Sequence, residues 1–268
     1  MSLTEDRSLR EGPESHSLAE ALSPAAHRHA HFLLREVNRA VREFDMIRAG
    51  DRIAVAVSGG KDSLSLLTAL QLRRASSGVS YELAAVHVRG DAGGVTAPHP
   101  PLEAWLAASG VPYRVVEPES GPSDVPPYSC RRCTWLRRKA LFFAAESLGC
   151  NVLAFAHHAD DAAQTTLLNL LYGGNAVSLA PSAAYFGGRF RLIRPLIYAP
   201  ESELARFARL CGFPPPPPAC TRSASSNRRR MSEMLRMLGR DYLTQARQNL
   251  IRAGLRAYAN NEGDRGVH

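Results

Sequence analysis

The stretch RIAVAV (52–57), SGGKDS (58–63) and LSLLTALQLRRA (64–75) decides how this chain folds. After Arg52 the next five residues, Ile53 to Val57, are apolar and rich in branched side chains. That pattern predicts a short strand buried on both faces. Ser58, Gly59 and Gly60 then break the run, and the residues from Lys61 onward predict a helix. A buried strand, a glycine turn and a helix, in that order, form the first half of a β-α-β unit.

The same alternation continues outward. ELAAVHV (82–88), PYRVVE (112–117) and NVLAFA (151–156) predict three further strands. Helices are predicted over LEAWLAASG (102–110), over 131–149, from His158 to Tyr172, and over ESELARFARLCGF (201–213). Upstream, Phe32, Leu33, Val37, Val41 and Phe44 mark an amphipathic helix over about 26–44. The stretch 186–197 predicts a strand or hairpin running into RPLI. Strands alternating with helices indicate an α/β fold, a doubly wound and mostly parallel sheet of five strands. Ligands of such sheets sit outside the carboxyl ends of the strands, where the strand order reverses. Residues 1–25 read as a tail, 26–213 as the α/β domain, and 214–268 as a proline connector, Pro214 to Pro218, with a helical C-terminal segment. In that segment Met231, Met234, Leu235, Leu238 and Tyr242 recur at helical spacing and are expected to pack as core, with Gly239 as a break.

Composition narrows the classes. The chain has 268 residues, 45% apolar and 22% charged, as a globular protein with a real core requires. No stretch approaches the ~20 apolar residues of a membrane-spanning helix. The opening MSLTEDRSLREGPESHS lacks an apolar run and argues against a secretory signal. Five cysteines do not make a disulfide scaffold, so a reducing, cytoplasmic location is expected. The net charge is +8, and all but two of the 33 basic residues are arginine. Coding bias explains most of the arginine but not the net charge, which favours polyanionic partners. Lys61 stands out because arginine fills nearly every other basic position. His27, His29 and His31 lie without cysteine or acid neighbours and are expected on a helix face.

Three motifs carry chemistry. The first is Ser58-Gly59-Gly60-Lys61-Asp62-Ser63. Two glycines let backbone wrap an anion, and the following helix start offers unpaired N–H groups and a positive dipole end. Ser58 and Ser63 add hydroxyls, and Lys61 adds a charge. The Walker-type loop is a different pattern, since Asp62 follows the lysine here. The second motif is His157-His158-Ala159-Asp160-Asp161, directly after a strand. It can bind metal, nucleotide or a polar substrate, or one acid can cap the helix. The third is Cys130-Arg131-Arg132-Cys133, with Cys220 far downstream. The pair alone fits a redox couple, half a zinc site or chance. Three thiolates can hold a [4Fe–4S] cube with one iron open, whereas a structural zinc asks for a fourth ligand. Cys150 and Cys211 sit near apolar helix ends and are expected to be inert core residues.

The first motif resembles the PP-loop of the ATP pyrophosphatase superfamily, and HHADD resembles the HHxDD element of its tRNA-modifying subgroup. From about Phe32 to Leu238 the chain resembles the tRNA 2-thiocytidine synthetase family. The likeness also rests on FDMI (44–47), CRRCTWLRRKAL (130–141), LLNLLYGG (167–174), IRPLIY (193–198) and NRRRMSEML (227–235). It implies an adenine nucleotide alpha hydrolase-like fold, with 26–213 as an ATP-binding domain. It implies adenylation of the C2 carbonyl of an anticodon-loop cytidine and replacement of that oxygen by sulfur. Ser58, Gly59, Gly60, Lys61, Asp62, Ser63, His157, Asp160 and Asp161 would bind ATP and Mg²⁺. Cys130, Cys133 and Cys220 would ligate a [4Fe–4S] cluster and, with Lys61 and Asp62, serve catalysis. The implied partners are tRNA and a cysteine desulfurase as sulfur source, with no membrane and with a homodimer as an open assembly. Arg137, Arg138 and Arg228 to Arg230 are candidates for RNA phosphates. Two other readings stay open: a PP-loop ligase or thiolase acting on another RNA or a small molecule without a cluster, using Cys130 and Cys133 as a persulfide relay, and a non-catalytic nucleotide- or RNA-binding paralogue.

Overall fold

The structure is a computed structural model and describes residues 22–90, 97–121, 126–218 and 227–264. In chain order its elements are α1 (Pro24–Glu43), β1 (Arg52–Ala56), α2 (Lys61–Ser76), β2 (Glu82–Val88), α3 (Pro100–Ala108), β3 (Tyr113–Val116) and α4 (Cys130–Ser147). They continue with β4 (Val152–Ala154), α5 (Ala159–Gly173), β5 (Ser182–Tyr185), β6 (Phe190–Ile193), α6 (Glu201–Cys211), α7 (Asn227–Arg236) and α8 (Gly239–Asp264).

The sheet runs β3-β2-β1-β4-β6-β5. Neighbours from β3 to β6 pair parallel, and β5 pairs antiparallel with β6. The expected five parallel strands are therefore present, and a sixth strand joins at the edge. It arises because the stretch ending in RPLI folds as a hairpin, with its turn at 186–189.

Alternation along the strands splits the core in two. Ile53, Val55, Leu83, Ala85, Val152 and Ala154 face α1, α2 and α6, with Leu33, Val37, Leu66, Leu70 and Phe207 fully or almost fully buried. Ala54, Ala84, Val86, Val88 and Leu153 face α4, against Leu141, Ala144, Ala145 and Phe190. Strands covered on both sides must be apolar at nearly every position, which is why RIAVAV reads without alternation.

Element ends follow local chemistry. Pro24 does not belong to a tail; it opens α1, where its fixed φ suits the first turn and Ser23 Oγ accepts from the Ala26 N–H at 3.1 Å. Phe32, expected on the buried face of α1, is 58% exposed. Of the histidines, His27 and His31 are exposed, while His29 is buried with Nε2 3.1 Å from the Glu203 carbonyl. The break expected at Gly239 separates α7 from α8. Met231 and Leu235 pack as core, but Met234, Leu238 and Tyr242 are exposed at 46%, 44% and 69%. Helical spacing gave one stripe for two helices, and only Met231 and Leu235 of it, both on α7, face inward. At Gly254 a side chain would lie 2.3 Å from Thr166 Oγ1, so α8 approaches α5 closely there. No helix among the described residues is long and apolar enough to cross a membrane.

Candidate active site

The strand order reverses between β1 and β4, and the first two motifs follow those two strands. SGGKDS leaves β1, HHADD leaves β4, and both reach one crevice at the carboxyl edge of the sheet.

The glycine loop is braced from within. Ser63 Oγ donates to the Gly60 carbonyl at 2.8 Å and accepts from the Ser58 N–H at 3.1 Å. Ser58 Oγ lies 3.2 Å from Ser63 Oγ and accepts from the Gly60 N–H at 3.3 Å. Gly60 is the N-cap of α2 and brings no side chain to it, so the helix start faces the hollow of the loop. Gly59 has a φ of +84°, which disfavours any residue with a Cβ. A side chain there would also lie 2.5 Å from Pro217 and 2.9 Å from Leu102. The proline connector thus rests directly on the loop.

Charged groups gather beneath it. Lys61 Nζ donates to Glu201 Oε1 at 3.0 Å and to Asp62 Oδ2 at 3.2 Å. Burial alone would lower the Lys61 pKa, but the Asp62 charge and the bonded Glu201 outweigh it, and the pKa is raised. His158 Nε2 sits 3.5 Å from Asp161 Oδ2 and 3.9 Å from Asp62 Oδ2. Two buried atoms here lack a hydrogen bond: Asp62 Oδ1 and His158 Nδ1. Such atoms are costly unless a ligand completes them.

The acids of HHADD have structural work. Asp161 Oδ2 accepts from the His158 N–H at 3.1 Å and so caps α5. Asp160 Oδ2 accepts from the Glu201 N–H at 2.7 Å, capping α6 across the fold, and its Oδ1 meets Arg247 Nη1 at 3.2 Å. His157 stacks on Phe155 and takes a bond from Arg194 Nε at its Nδ1, 3.2 Å away. An arginine can only donate, so the His157 ring carries its proton on Nε2.

Cys130 and Cys133 lie in the first turn of α4, capped by Ser129 Oγ, which accepts from the Arg132 N–H at 3.1 Å. Arg137 turns inward and donates to the Gly90 carbonyl just past β2, so the opening of α4 stands at the same carboxyl edge as the glycine loop. Cys130 is exposed and Cys133 half-buried. Cys220 lies outside the described residues, as do the side chains of Arg228 and Arg229; Arg138 and Arg230 are exposed. Among the described residues no three histidine, cysteine or acid side chains converge as a metal site. Burial raises the Cys150 and Cys211 thiols to about 11 and about 12, as inert packing residues require.

Glu201, Arg247 and Pro217 were not legible as site residues. An acid after Pro200 reads as an ordinary first-turn residue. Its partner Lys61 is 140 residues away, a separation at which local sequence carries no signal.

Residues 131–214 match the PP-loop domain family. The chain is 41% identical over 180 residues to a tRNA-cytidine(32) 2-sulfurtransferase of Alkalilimnicola ehrlichii, covering 65% of this chain and 57% of that protein. It is 40% identical over 193 residues to the protein of the same name in Anaeromyxobacter dehalogenans, covering 70% of this chain and 66% of that one. The chain thus spans 57% and 66% of the length of these two curated relatives. Its fold is similar to that of the U34-tRNA thiolase NcsA from Methanococcus maripaludis, solved with its [4Fe–4S] cluster, at a TM-score of 0.64 and 23% identity over 85% of this chain and 79% of that one. Over residues 131–214 the chain thus carries a PP-loop domain, and over about two thirds of its own length it is similar to the tRNA-cytidine(32) 2-sulfurtransferases.

Proposed function

We propose that this protein is an ATP-dependent tRNA sulfurtransferase. It adenylylates the C2 carbonyl of an anticodon-loop cytidine and replaces the oxygen with sulfur. The observation that carries the reading is the contact between Pro217 and Gly59. It sets the connector to the third sulfur donor on the loop suited to phosphates. Cys220 follows Pro217 by three residues, a length that reaches at most about 11 Å.

The residues of the crevice suit the first half of the reaction. The Ser58–Ser63 hollow and the start of α2 match a triphosphate. Lys61 can exchange its bond to Glu201 for a phosphate oxygen and oppose the charge that grows as pyrophosphate leaves. Asp62 Oδ1, buried and without a partner, fits a hard divalent cation. Mg²⁺ held there supplies further neutralisation of the triphosphate. AMP then leaves with the former carbonyl oxygen as sulfur takes its place at C2.

The soft donors fit the second half. Cys130 and Cys133 are one helical turn apart at an accessible helix start. Cys130, Cys133 and Cys220 would hold a [4Fe–4S] cluster, which would supply iron to carry the sulfur. On this reading 26–213 carries activation, and 214–268 brings the third ligand and the closing helices. A cytoplasmic location, a cysteine desulfurase as sulfur source and a homodimer complete the proposal.

Anaerobic purification followed by iron and sulfide assay tests it, together with mass spectrometry of nucleosides from tRNA incubated with ATP and sulfide. About four iron atoms per chain are expected, along with 2-thiocytidine that requires ATP. Cys220→Ala should lose both. ATP bound without RNA-dependent pyrophosphate release would overturn the enzyme reading. Full activity at background iron would remove the cluster from it.

A further inference from the structure

The outer face of α4 carries features that neither core packing nor the crevice uses. Trp135 is 50% exposed and Phe143 57% exposed. With Lys139 they form an i, i+4, i+8 stripe, about 12 Å long. The Arg132 guanidinium lies 4.2 Å over the Trp135 ring. Lys139 Nζ sits between the two rings, 5.8 Å from Trp135 and 5.6 Å from Phe143.

The β5–β6 turn extends this surface. Phe186, at its tip, is 64% exposed. The turn is fixed in place by Phe142, whose ring lies 5.6 Å from Tyr185, 5.6 Å from Phe186 and 5.3 Å from Phe190. Helix and turn together enclose an open hollow of about 770 Å³. Arg138, Lys139 and Arg189 line it, and its one acid, Glu146, is already bonded to Arg189 at 3.4 Å.

Charge decides the occupant. A second copy docking through the same face would oppose four cations, Arg132, Arg138, Lys139 and Arg189, with one paired acid against them. A polyanion meets no such penalty. Rings left standing in water among cations suit a polyanion that also carries flat apolar faces. Single-stranded RNA has both, and stacking requires bases that are not already paired. The stripe starts five residues after Cys130, or about 7.5 Å along the helix. An RNA strand leaving the crevice over the opening of α4 would run onto it.

We propose that Trp135, Phe143 and Phe186, with Arg132, Arg138 and Lys139, form a stacking platform for unpaired bases of the RNA substrate beside the modified nucleotide. The proposal rests on the RNA-modifying reading above. The chain has two tryptophans, so Trp105→Phe in the full-length protein leaves Trp135 as the only tryptophan reporter. That variant is titrated with a tRNA transcript, a single-stranded oligonucleotide and a duplex of the same length. Binding is followed separately by anisotropy of labelled RNA. The expected result is Trp135 quenching by the tRNA and the single strand, and little by the duplex. Trp135→Ala with Phe143→Ala should weaken tRNA binding by about 30-fold or more, given about 1–3 kcal/mol for each of two stacked bases. Arg138→Gln should weaken it by less, and mainly at low salt. Both substituted positions are exposed, and an unchanged melting curve confirms that the fold persists.

Failure of the tRNA to bind the Trp105→Phe protein at all would overturn the RNA-modifying reading and this proposal with it. Tight binding without quenching, unaffected by the double variant, would overturn the platform and leave the reading intact. Loss of self-association in the double variant with unchanged RNA affinity would assign the surface to a second copy and also overturn the proposal.

Discussion

The two ends of the sheet use the same residue types to opposite ends. At the amino edge Asp51, 4% exposed, accepts at Oδ2 from the Arg48 N–H at 2.7 Å and from Arg191 at 2.5 Å. Its Oδ1 accepts from Asn151 Nδ2 at 2.8 Å, and Asn151 Oδ1 in turn accepts from the Arg52 N–H at 2.8 Å. Both carboxylate oxygens of Asp51 are satisfied, with only Arg191 Nε left over, and the cluster pins the starts of β1, β4 and β6. At the carboxyl edge His158 is buried and Lys61 and Asp62 are half-buried, and there Asp62 Oδ1 and His158 Nδ1 are left over. A carboxylate with both oxygens paired holds a fold together, whereas one with an oxygen left over is held by the fold in readiness for something else.

Substitutions at each edge break or sharpen this contrast. The largest expected effect is from Asp51→Ala, which strands Arg191 and should cost about 3–5 kcal/mol in urea denaturation. Lys61→Ala should slow pyrophosphate release by about 10²- to 10³-fold, in proportion to a lost transition-state charge, with no loss of melting temperature. Equal losses of stability from these two substitutions would erase the distinction between the edges. Gly59→Ala forces a Cβ into a positive-φ position and toward Pro217. About 1–3 kcal/mol of local strain should appear chiefly as reduced iron content after anaerobic purification, with global unfolding less affected.

Smaller effects refine the picture. Glu201→Gln removes a partly exposed competitor for Lys61 and should tighten nucleotide binding severalfold, an effect under about 1 kcal/mol that salt diminishes. The gentlest test concerns His87, whose Nδ1 lies 2.8 Å from the Val57 carbonyl just before the glycine loop. Burial, joined by the nearby Arg137 charge, lowers its pKa below the ordinary value of 6.5, although the bond to Val57 opposes this. The unfolded chain therefore binds the proton first as pH falls. Stability attributable to His87 is fully present above about pH 6.5 and declines below it, by no more than about 1.4 kcal/mol per pH unit. His87→Asn should flatten that slope in denaturation curves measured between pH 7 and pH 5.

The sequence made the sheet legible because buried parallel strands are apolar at almost every position and glycine loops punctuate them. The crevice was legible where motif and strand end coincide, as in Ser58–Ser63. The sixth strand was only half legible, since Ser182–Tyr185 is short, exposed and alanine-rich. The partners of the motifs were not legible. Glu201 and Arg247 meet Asp160 only through tertiary packing, and nothing near them in the chain marks the encounter. The exposed residues of the C-terminal segment misled for a related reason, because spacing reports a helical face but not what covers it.

Asp160 sits between the Glu201 amide on α6 and Arg247 on α8. During synthesis on the ribosome, residues 58–63 emerge long before either partner. The set that steadies Lys61 through Glu201 is incomplete until residue 247 has cleared the exit tunnel. A chain cut before residue 247 would keep every strand of the sheet and lose the bond from Arg247 to Asp160, so α8 acts as a latch on the crevice beside the first motif.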